Sequence, residues 1–296
     1  MGLKIKDLFE SAGFPKGVIS VIIGGSDVGQ ELVSSDIDKI VITGSVEAGN
    51  DVMKRAGIKP ALLELGGNDA AIVCEDANLS QAVPAICWGA IYNAGQACNG
   101  IKRVYVHKKI AREFTNQVAA YIKQLKRERD YGPIISENAR SIIFSRVQDA
   151  IRLGAKVILG GQVDNAPGFW LDPIVLVFNN DELELISKET FGPILPIRII
   201  DSEQDGIKLA NSTCYGLGAN IWTRDIKKGR QIAAQIEAKM VCINEALFGL
   251  PGGEYWGGWK NSGLGTTENR LMSFQKRKIV IANSSNAPRS WWLLPK

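Results

Sequence analysis

An α/β fold built on a parallel sheet is predicted by three observations. Short apolar runs recur along the chain, amphipathic segments of helical length separate them, and glycines mark the junctions. In the first third, the runs at residues 17–24, 39–44 and 61–66 predict three strands with amphipathic or polar segments between them. Asn78 stands at the capping position of a helix predicted over residues 79–92, and Pro84 inside it is expected to kink or shorten that helix. A strand over 103–107 and a helix over 110–124 follow. The helix predicted over 137–153 is stopped by Gly154, and beyond it come strands at 156–160 and 195–200, a helix around 205–211 and a strand at 219–223. Gly252, Gly253, Gly257, Gly258, Gly263 and Gly265 then sit among aromatics and a lysine, which predicts a loop. Residues 276–283 read as a lone strand, an exposed edge unless another subunit covers it, and Trp291 and Trp292 add tail surface that also wants a partner. No internal repeat or low-complexity segment interrupts the series.

Composition narrows the function classes. With 296 residues, 45% of them hydrophobic, the chain is long enough to bury a large core. A net charge of +4, from 35 basic and 31 acidic residues, with a single basic cluster over 123–129 that itself contains an acidic residue, argues against nucleic acid as a partner. No apolar run reaches the roughly 18 residues of a membrane span. The first ten residues lack the hydrophobic core and cleavage site of a secretion signal, so a cytoplasmic protein is expected. Cys74, Cys87, Cys98, Cys214 and Cys242 include no CxxC pair, which fits reduced thiols better than a disulfide framework or structural zinc. His107 is the single histidine, so a His-clustered metal site is excluded, no metal is expected, and a carboxylate is the expected general base.

Cys74, Cys87 and Cys242 lie in strand or helix runs and read as small buried hydrophobes. Cys98 lies instead in Asn93-Ala94-Gly95-Gln96-Ala97-Cys98-Asn99-Gly100, a polar loop between a helix and a strand. There a side chain can be partly exposed and the backbone can approach a ligand, which makes Cys98 the candidate nucleophile. A free thiol has a pKa of about 8.5, so that role also needs help from backbone N–H groups or a base. Glu64 ends the run Ala61-Leu62-Leu63-Glu64-Leu65 just before Gly66-Gly67, at the carboxyl edge where open α/β sheets bind ligands. It is either an acid/base group or a solvated strand end; in a partly apolar pocket its pKa would rise, which suits a base that activates water. Two glycine loops, Gly24-Gly25-Ser26-Asp27-Val28-Gly29 and Gly44-Ser45-Val46-Glu47-Ala48-Gly49, each follow a predicted strand and open a helix, a setting that can bind pyrophosphate. Neither carries G-x-G-x-x-G, and each alone is more readily an ordinary strand-to-helix turn.

Taken in order from near residue 1 to about residue 280, these segments resemble the aldehyde dehydrogenase superfamily. Thr43-Gly44-Ser45 with Gly49 is similar to the family's pyrophosphate-contacting turn, Leu63-Glu64-Leu65-Gly66-Gly67 resembles its glutamate motif, and Asn93-x-Gly95-Gln96-x-Cys98 resembles its cysteine motif, at the family's spacing from Glu64 to Cys98. Glu189-x-Phe191-Gly192-Pro193 is similar to the segment that holds the nicotinamide ribose, and Trp256-Gly257-Gly258-x-Lys260-x-Ser262-Gly263 resembles the late glycine-lysine loop. The resemblance implies NAD- or NADP-dependent oxidation of an aldehyde to a carboxylic acid through a thioester on Cys98, with Glu64 activating water. It places Thr43, Gly44, Ser45, Gly49, Leu65, Glu189 and Phe191 at the cofactor. Because Glu64 is present, it implies hydrolysis rather than acyl transfer to coenzyme A.

The same resemblance implies a parallel-sheet aldehyde dehydrogenase-like fold in three parts. These are an incomplete Rossmann-type cofactor domain over residues 1–66, a complete catalytic thiol domain over 67–265, and an oligomerisation strand and tail over 266–296 that would form a homodimer or homotetramer. The family's asparagine oxyanion donor and its adenine-ribose lysine fall upstream of the matched region, as in an N-terminally truncated member. A separate chain supplying that segment is therefore an expected partner beside the small-molecule aldehyde. Two other readings stay open: a cofactor-independent thiol esterase that forms and hydrolyses an acyl-enzyme on Cys98, and a non-catalytic oligomeric module.

Overall fold

A strand covered on both faces needs apolar residues at consecutive rather than alternating positions. Three such strands, buried at every residue, lie side by side in the larger sheet. The computed structural model describes residues 1–161, 167–179, 183–246, 257–265 and 272–284. The chain begins with α1 (Gly2–Ser11), α2 (Ser26–Ser34), β1 (Ile40–Thr43), α3 (Val46–Ala56), β2 (Ala61–Glu64), β3 (Asp69–Val73) and α4 (Leu79–Ile91). It continues through β4 (Ile101–His107), α5 (Ala111–Ile122), α6 (Glu137–Arg152), β5 (Lys156–Leu159), β6 (Ile174–Phe178), α7 (Glu184–Ser187) and β7 (Ile194–Ile200). The remaining elements are α8 (Glu203–Asn211), β8 (Tyr215–Gly216), β9 (Gly218–Trp222), α9 (Ile226–Ala233), β10 (Met240–Ile243), β11 (Trp259–Lys260) and β12 (Gly263–Leu264).

The larger sheet has the order β10-β9-β3-β4-β7-β6-β5 and is parallel except where β5 pairs antiparallel with β6. Successive residues of a strand point to opposite faces, and the core divides accordingly. Ala71, Val73, Val104 and Val106 pack with Ile86 of α4 and Phe114 and Val118 of α5, while Ala70, Ile72 and Tyr105 pack with Ile207 of α8 and Ile232 of α9. A smaller sheet has the order β1-β2-β12, with β1 and β2 parallel and β12 antiparallel. Its apolar face is closed by Val33 of α2 and by Val52 and Ala56 of α3. Among the described residues no helix is long and apolar enough to cross a membrane.

Several expectations are corrected. Residues 17–24 form turns and irregular chain, not a strand, with Ile22 and Ile23 exposed; among the described residues nothing pairs with the outer edge of β1. Residues 276–283 likewise form no strand, and Ile279, Val280 and Ile281 are exposed. The glycine-rich segment, expected to be loop throughout, contributes β11 and β12, which pair with β8 and β2. Gly252, Gly253, Trp256, Trp291 and Trp292 lie outside the described residues. β3 and β6 were not distinguished by patterning, yet both lie inside the larger sheet. α4 runs through Pro84 to Ile91 without ending there, held by Val83, Ile86, Cys87 and Ala90, all buried. Asn78 is its capping residue, but its side-chain oxygen accepts from the Ser80 hydroxyl (2.8 Å) instead of a helix N–H.

Phe114→Ala is expected to cost about 3–5 kcal/mol in urea unfolding, because it opens a cavity between α5 and the central strands. Ile58→Ala, at a fully exposed site, is expected to stay within about 0.5 kcal/mol of the parent.

Candidate active site

Thr43 and Glu64 end β1 and β2 in register, at the carboxyl edge of the smaller sheet. From there the chain crosses through Leu65, Gly66 and Gly67 to the amino edge of the larger sheet, where β3 begins at Asp69. The Cys98 loop enters β4 at that same edge, the segment 189–193 enters β7 and Leu217 enters β9. The sequence placed the site at the carboxyl edge of a parallel strand. That holds for Glu64, whereas Cys98 comes from the amino edge of the facing sheet.

At Gly67 the crossing leaves no room for a side chain, and at Gly66 a side chain would have to displace the Glu189 carboxylate. A Cβ on Gly67 would lie 2.2 Å from the Cys98 carbonyl oxygen, and one on Gly66 would lie 2.1 Å from Glu189 Oε2. The Gly67 N–H donates to Glu189 Oε1 (3.3 Å), and the Glu189 N–H donates to the Tyr215 hydroxyl (3.3 Å). Ahead of Cys98 the backbone turns left-handed at Asn93, Ala94 and Gly95 (φ 50°, 55° and 70°), a conformation that costs energy at non-glycine residues and must be held by its surroundings. Asn93 and Gln96 supply that support. Asn93 Nδ2 donates to the Gln96 carbonyl (2.9 Å), Gln96 Nε2 donates to the carbonyls of Asn93 and Pro133 (3.1 Å each), and Gln96 Oε1 accepts from the Ile135 N–H (2.8 Å).

Between the two sheets lies a cavity of about 540 Å³ lined by Thr43, Gly44, Ser45, Leu65, Cys98, Glu189 and Phe191. Arg146, Lys188 and Tyr215 also border it. Ser45 caps α3, its hydroxyl accepting from the Ala48 N–H (3.2 Å), so the partial positive charge at the start of this helix faces the cavity wall. Gly49 and Glu64 do not line the cavity. Gly49 sits against Leu65, and Glu64 is half-buried at the end of β2 with Oε1 sealed from solvent. The other glycine loop, residues 24–29, is not brought to the thiol: Ser26 and Gly29 border a separate apolar cavity beside β1. His107 ends β4 at the edge opposite Cys98. Lys260 of the late loop braces the chain instead of lining the cavity, donating to the carbonyls of Asn211 (2.9 Å) and Thr213 (3.2 Å) and pairing with Glu237 (2.6 Å). Ser262 joins the two halves, its hydroxyl accepting from the Gly216 N–H (3.0 Å) and its carbonyl from the Leu65 N–H (2.9 Å).

Cys98 is half-buried, Cys74 and Cys87 are buried, Cys214 is exposed, and Cys242 is half-buried, packing with Cys98 around Leu217 and Met240. Burial, reinforced by Asp69 and Glu189, holds the Cys98 thiol above its ordinary pKa, against the N–H groups of Asn99 and Cys98 that favour the thiolate. Burial also pushes Glu189 and Asp69 up to about 7 and brings Lys102 down to about 8. Asp69 and Lys102 were missed in the sequence. The detectable signal was Lys102-Arg103 opening a strand that is otherwise apolar, since buried cations are rare without a built environment. For Arg103 that environment is structural: it donates to the carbonyls of Asn68 (2.9 Å), Leu209 (2.9 Å) and Ala210 (3.0 Å) and to the Tyr105 hydroxyl (3.1 Å).

A family model described as aldehyde dehydrogenase matches residues 1–280. Betaine aldehyde dehydrogenase of Bacillus subtilis (strain 168) is 34% identical, the match covering 98% of this chain and 62% of that protein. Lactaldehyde dehydrogenase of Escherichia coli (strain K12) is 33% identical over 94% of this chain and 60% of its own. The structure of betaine aldehyde dehydrogenase from Staphylococcus aureus in complex with NAD+ aligns with a TM-score of 0.85 and 30% identity, covering 89% of this chain and 55% of that one. NADP-dependent glyceraldehyde-3-phosphate dehydrogenase from Bacillus halodurans C-125, complexed with NADP, aligns with a TM-score of 0.87 and 32% identity, covering 93% and 58%. The chain thus spans 55% to 62% of the length of these relatives.

Because the thiol is held above its ordinary range, alkylation of Cys98 by iodoacetamide is expected to accelerate continuously from about pH 7 to about pH 9. Site-resolved mass spectrometry follows the rate, and a plateau already reached near neutral pH would contradict the electrostatic description.

Proposed function

The chain belongs to the aldehyde dehydrogenase family, and from that membership we propose that it serves NAD- or NADP-dependent oxidation of an aldehyde to a carboxylic acid, with Cys98 as nucleophile and Glu64 as the base that activates water. The observation that carries this reading is the shared cavity: the thiol of Cys98 opens into the same space as the start of α3, Glu189 and Phe191. Its volume falls in the range of small-molecule and cofactor sites.

The residues present fit a dinucleotide. Thr43, Gly44 and Ser45 at the start of α3 suit a pyrophosphate, with Gly49 letting the helix pack on Leu65. Glu189 offers a carboxylate to ribose hydroxyls, and Leu65 with Phe191 offers apolar surface to a ring. Bound there, a nicotinamide would supply the hydride acceptor. Cys98 supplies the covalent chemistry: its thiolate sulfur adds to the carbonyl carbon, and the carbonyl π pair becomes an oxyanion beside the Cys98 backbone N–H. Once hydride has left that carbon, the acyl group remains on sulfur as a thioester. Glu64 then takes a proton from water, the water oxygen attacks the thioester carbon, and collapse expels the Cys98 thiolate and releases the acid. The relatives in complex with NAD+ and with NADP support this assignment of the cavity. The exposed apolar run Ile279, Val280 and Ile281 supports a second copy of the chain as its cover, in a dimer or tetramer.

Cys98→Ala is expected to remove both aldehyde oxidation, read at the nicotinamide absorbance, and hydrolysis of an activated ester. Glu64→Gln is expected to be acylated at Cys98 yet to turn over roughly 100-fold more slowly or worse, leaving a thioester on the peptide containing residue 98. Ester turnover that survives Cys98→Ala would overturn the assignment of the nucleophile.

A further inference from the structure

An ammonium group inside a strand with no exposed residue is expensive to bury unless neighbouring groups satisfy it. Lys102, the second residue of β4, is 3% exposed. Its Nζ donates to the Gly95 carbonyl, stands 5.4 Å from the centre of the Phe191 ring, and lies 3.1 Å from where a Cβ on Gly100 would project. Gly95 and Gly100 bracket the loop that carries Cys98, so this one ammonium is hydrogen-bonded at the first end and stands beside the second.

The charges around the loop come from every element packed on it. β3 brings Asp69, 1% exposed, whose Oδ1 accepts from the Gly218 N–H (3.1 Å) while Oδ2 is buried with no hydrogen-bond partner. The segment entering β7 brings Glu189, β2 ends in Glu64, and β10 brings the thiol of Cys242. Arg146 of α6 is directed to the Glu189 and Thr190 side, where it donates to the Glu189 carbonyl, and Arg103 is committed to the carbonyls behind β4. Two buried carboxylates raise the cost of ionising Cys98, and Lys102 is the cation placed among all three.

We infer that Lys102 is a positioning residue for Cys98: its buried ammonium fastens the start of the thiol loop at Gly95 and balances Asp69 and Glu189, so that the thiol can ionise beside them. The inference rests on Cys98 being the nucleophile. An opposite charge in the same buried neighbourhood favours the ionised thiol, and each pKa unit of that preference is about tenfold in the thiolate fraction at a pH below its midpoint.

The test is the pH profile of iodoacetamide alkylation at Cys98 in the full chain, resolved by mass spectrometry, with circular dichroism to show that each variant folds. Lys102→Met removes both the charge and the donor to Gly95. Lys102→Gln keeps an N–H donor and removes only the charge. Both are expected to slow alkylation about tenfold near neutral pH, where the Lys102 ammonium is still charged. Asp69→Asn, which keeps an acceptor for the Gly218 N–H, is expected to move the midpoint downward. A Lys102→Gln profile that overlays the parent would overturn the charge-balancing role, and a Lys102→Met profile that does so would overturn the inference entirely. Should neither lysine variant fold, Asp69→Asn still decides: an unmoved midpoint contradicts the balance. Failure of the nucleophile assignment reads differently, because ester turnover would then survive Cys98→Ala whatever the alkylation profiles show.

Discussion

The absence of a side chain at Gly67 sets how closely the two sheets meet. A methyl group at Gly67 would press into the Cys98 carbonyl, and one at Gly66 into the Glu189 carboxylate. The rest of the site follows from that contact. It carries the chain from Glu64 on one sheet directly against the thiol loop of the other, and it lets the Gly67 N–H pin Glu189 from below. A cavity between separate sheets would otherwise gape, and its walls would lose the fixed spacing that covalent chemistry needs.

The same contact concentrates charge where water is excluded. Asp69, Glu189, Lys102 and the Cys98 thiol occupy one buried neighbourhood, and burial drives the carboxylates up and the lysine down toward neutral pH. Such an arrangement is a poor way to stabilise a fold, since well-packed apolar residues would do as well. It is a common feature of sites that move protons and stabilise anions. Arg103, one residue further along β4, shows the contrast: its bonds to backbone carbonyls and to Tyr105 lock the sheet to the end of α8.

Local patterning was enough for what depends on local structure. The helices α2 to α5, the glycine-bearing loop of Cys98 and the strand ending in Glu64 were legible because periodicity and turn residues act within a few positions, whereas α1 was not read. What depended on remote partners was not. Residues 17–24 and 276–283 have strand composition but no ladder within the described chain, whereas Trp259-Lys260 and Gly263-Leu264 become strands only because β8 and β2 lie beside them. β3 is central, yet its Asp69-Ala70-Ala71 start gives little intrinsic strand signal, since strand preference is mostly packing against neighbours. Asp69 and Lys102 were hidden for the same reason: their roles arise from pairing β3 with β4 beneath the thiol loop. The family motifs, by contrast, were read in order, and the structure gathers most of them, from Thr43 to Phe191, around one cavity.

That one cavity joins the Cys98 thiol to a place for a nicotinamide is tested most directly by following deuterium. The purified chain would be given an aldehyde deuterated at its carbonyl carbon, with NAD or NADP, for a single turnover. Transfer of one deuterium to the nicotinamide for each acid formed is the expected result. A folded chain whose Cys98 can be acylated by an activated ester, but which passes no deuterium to either dinucleotide, would contradict it.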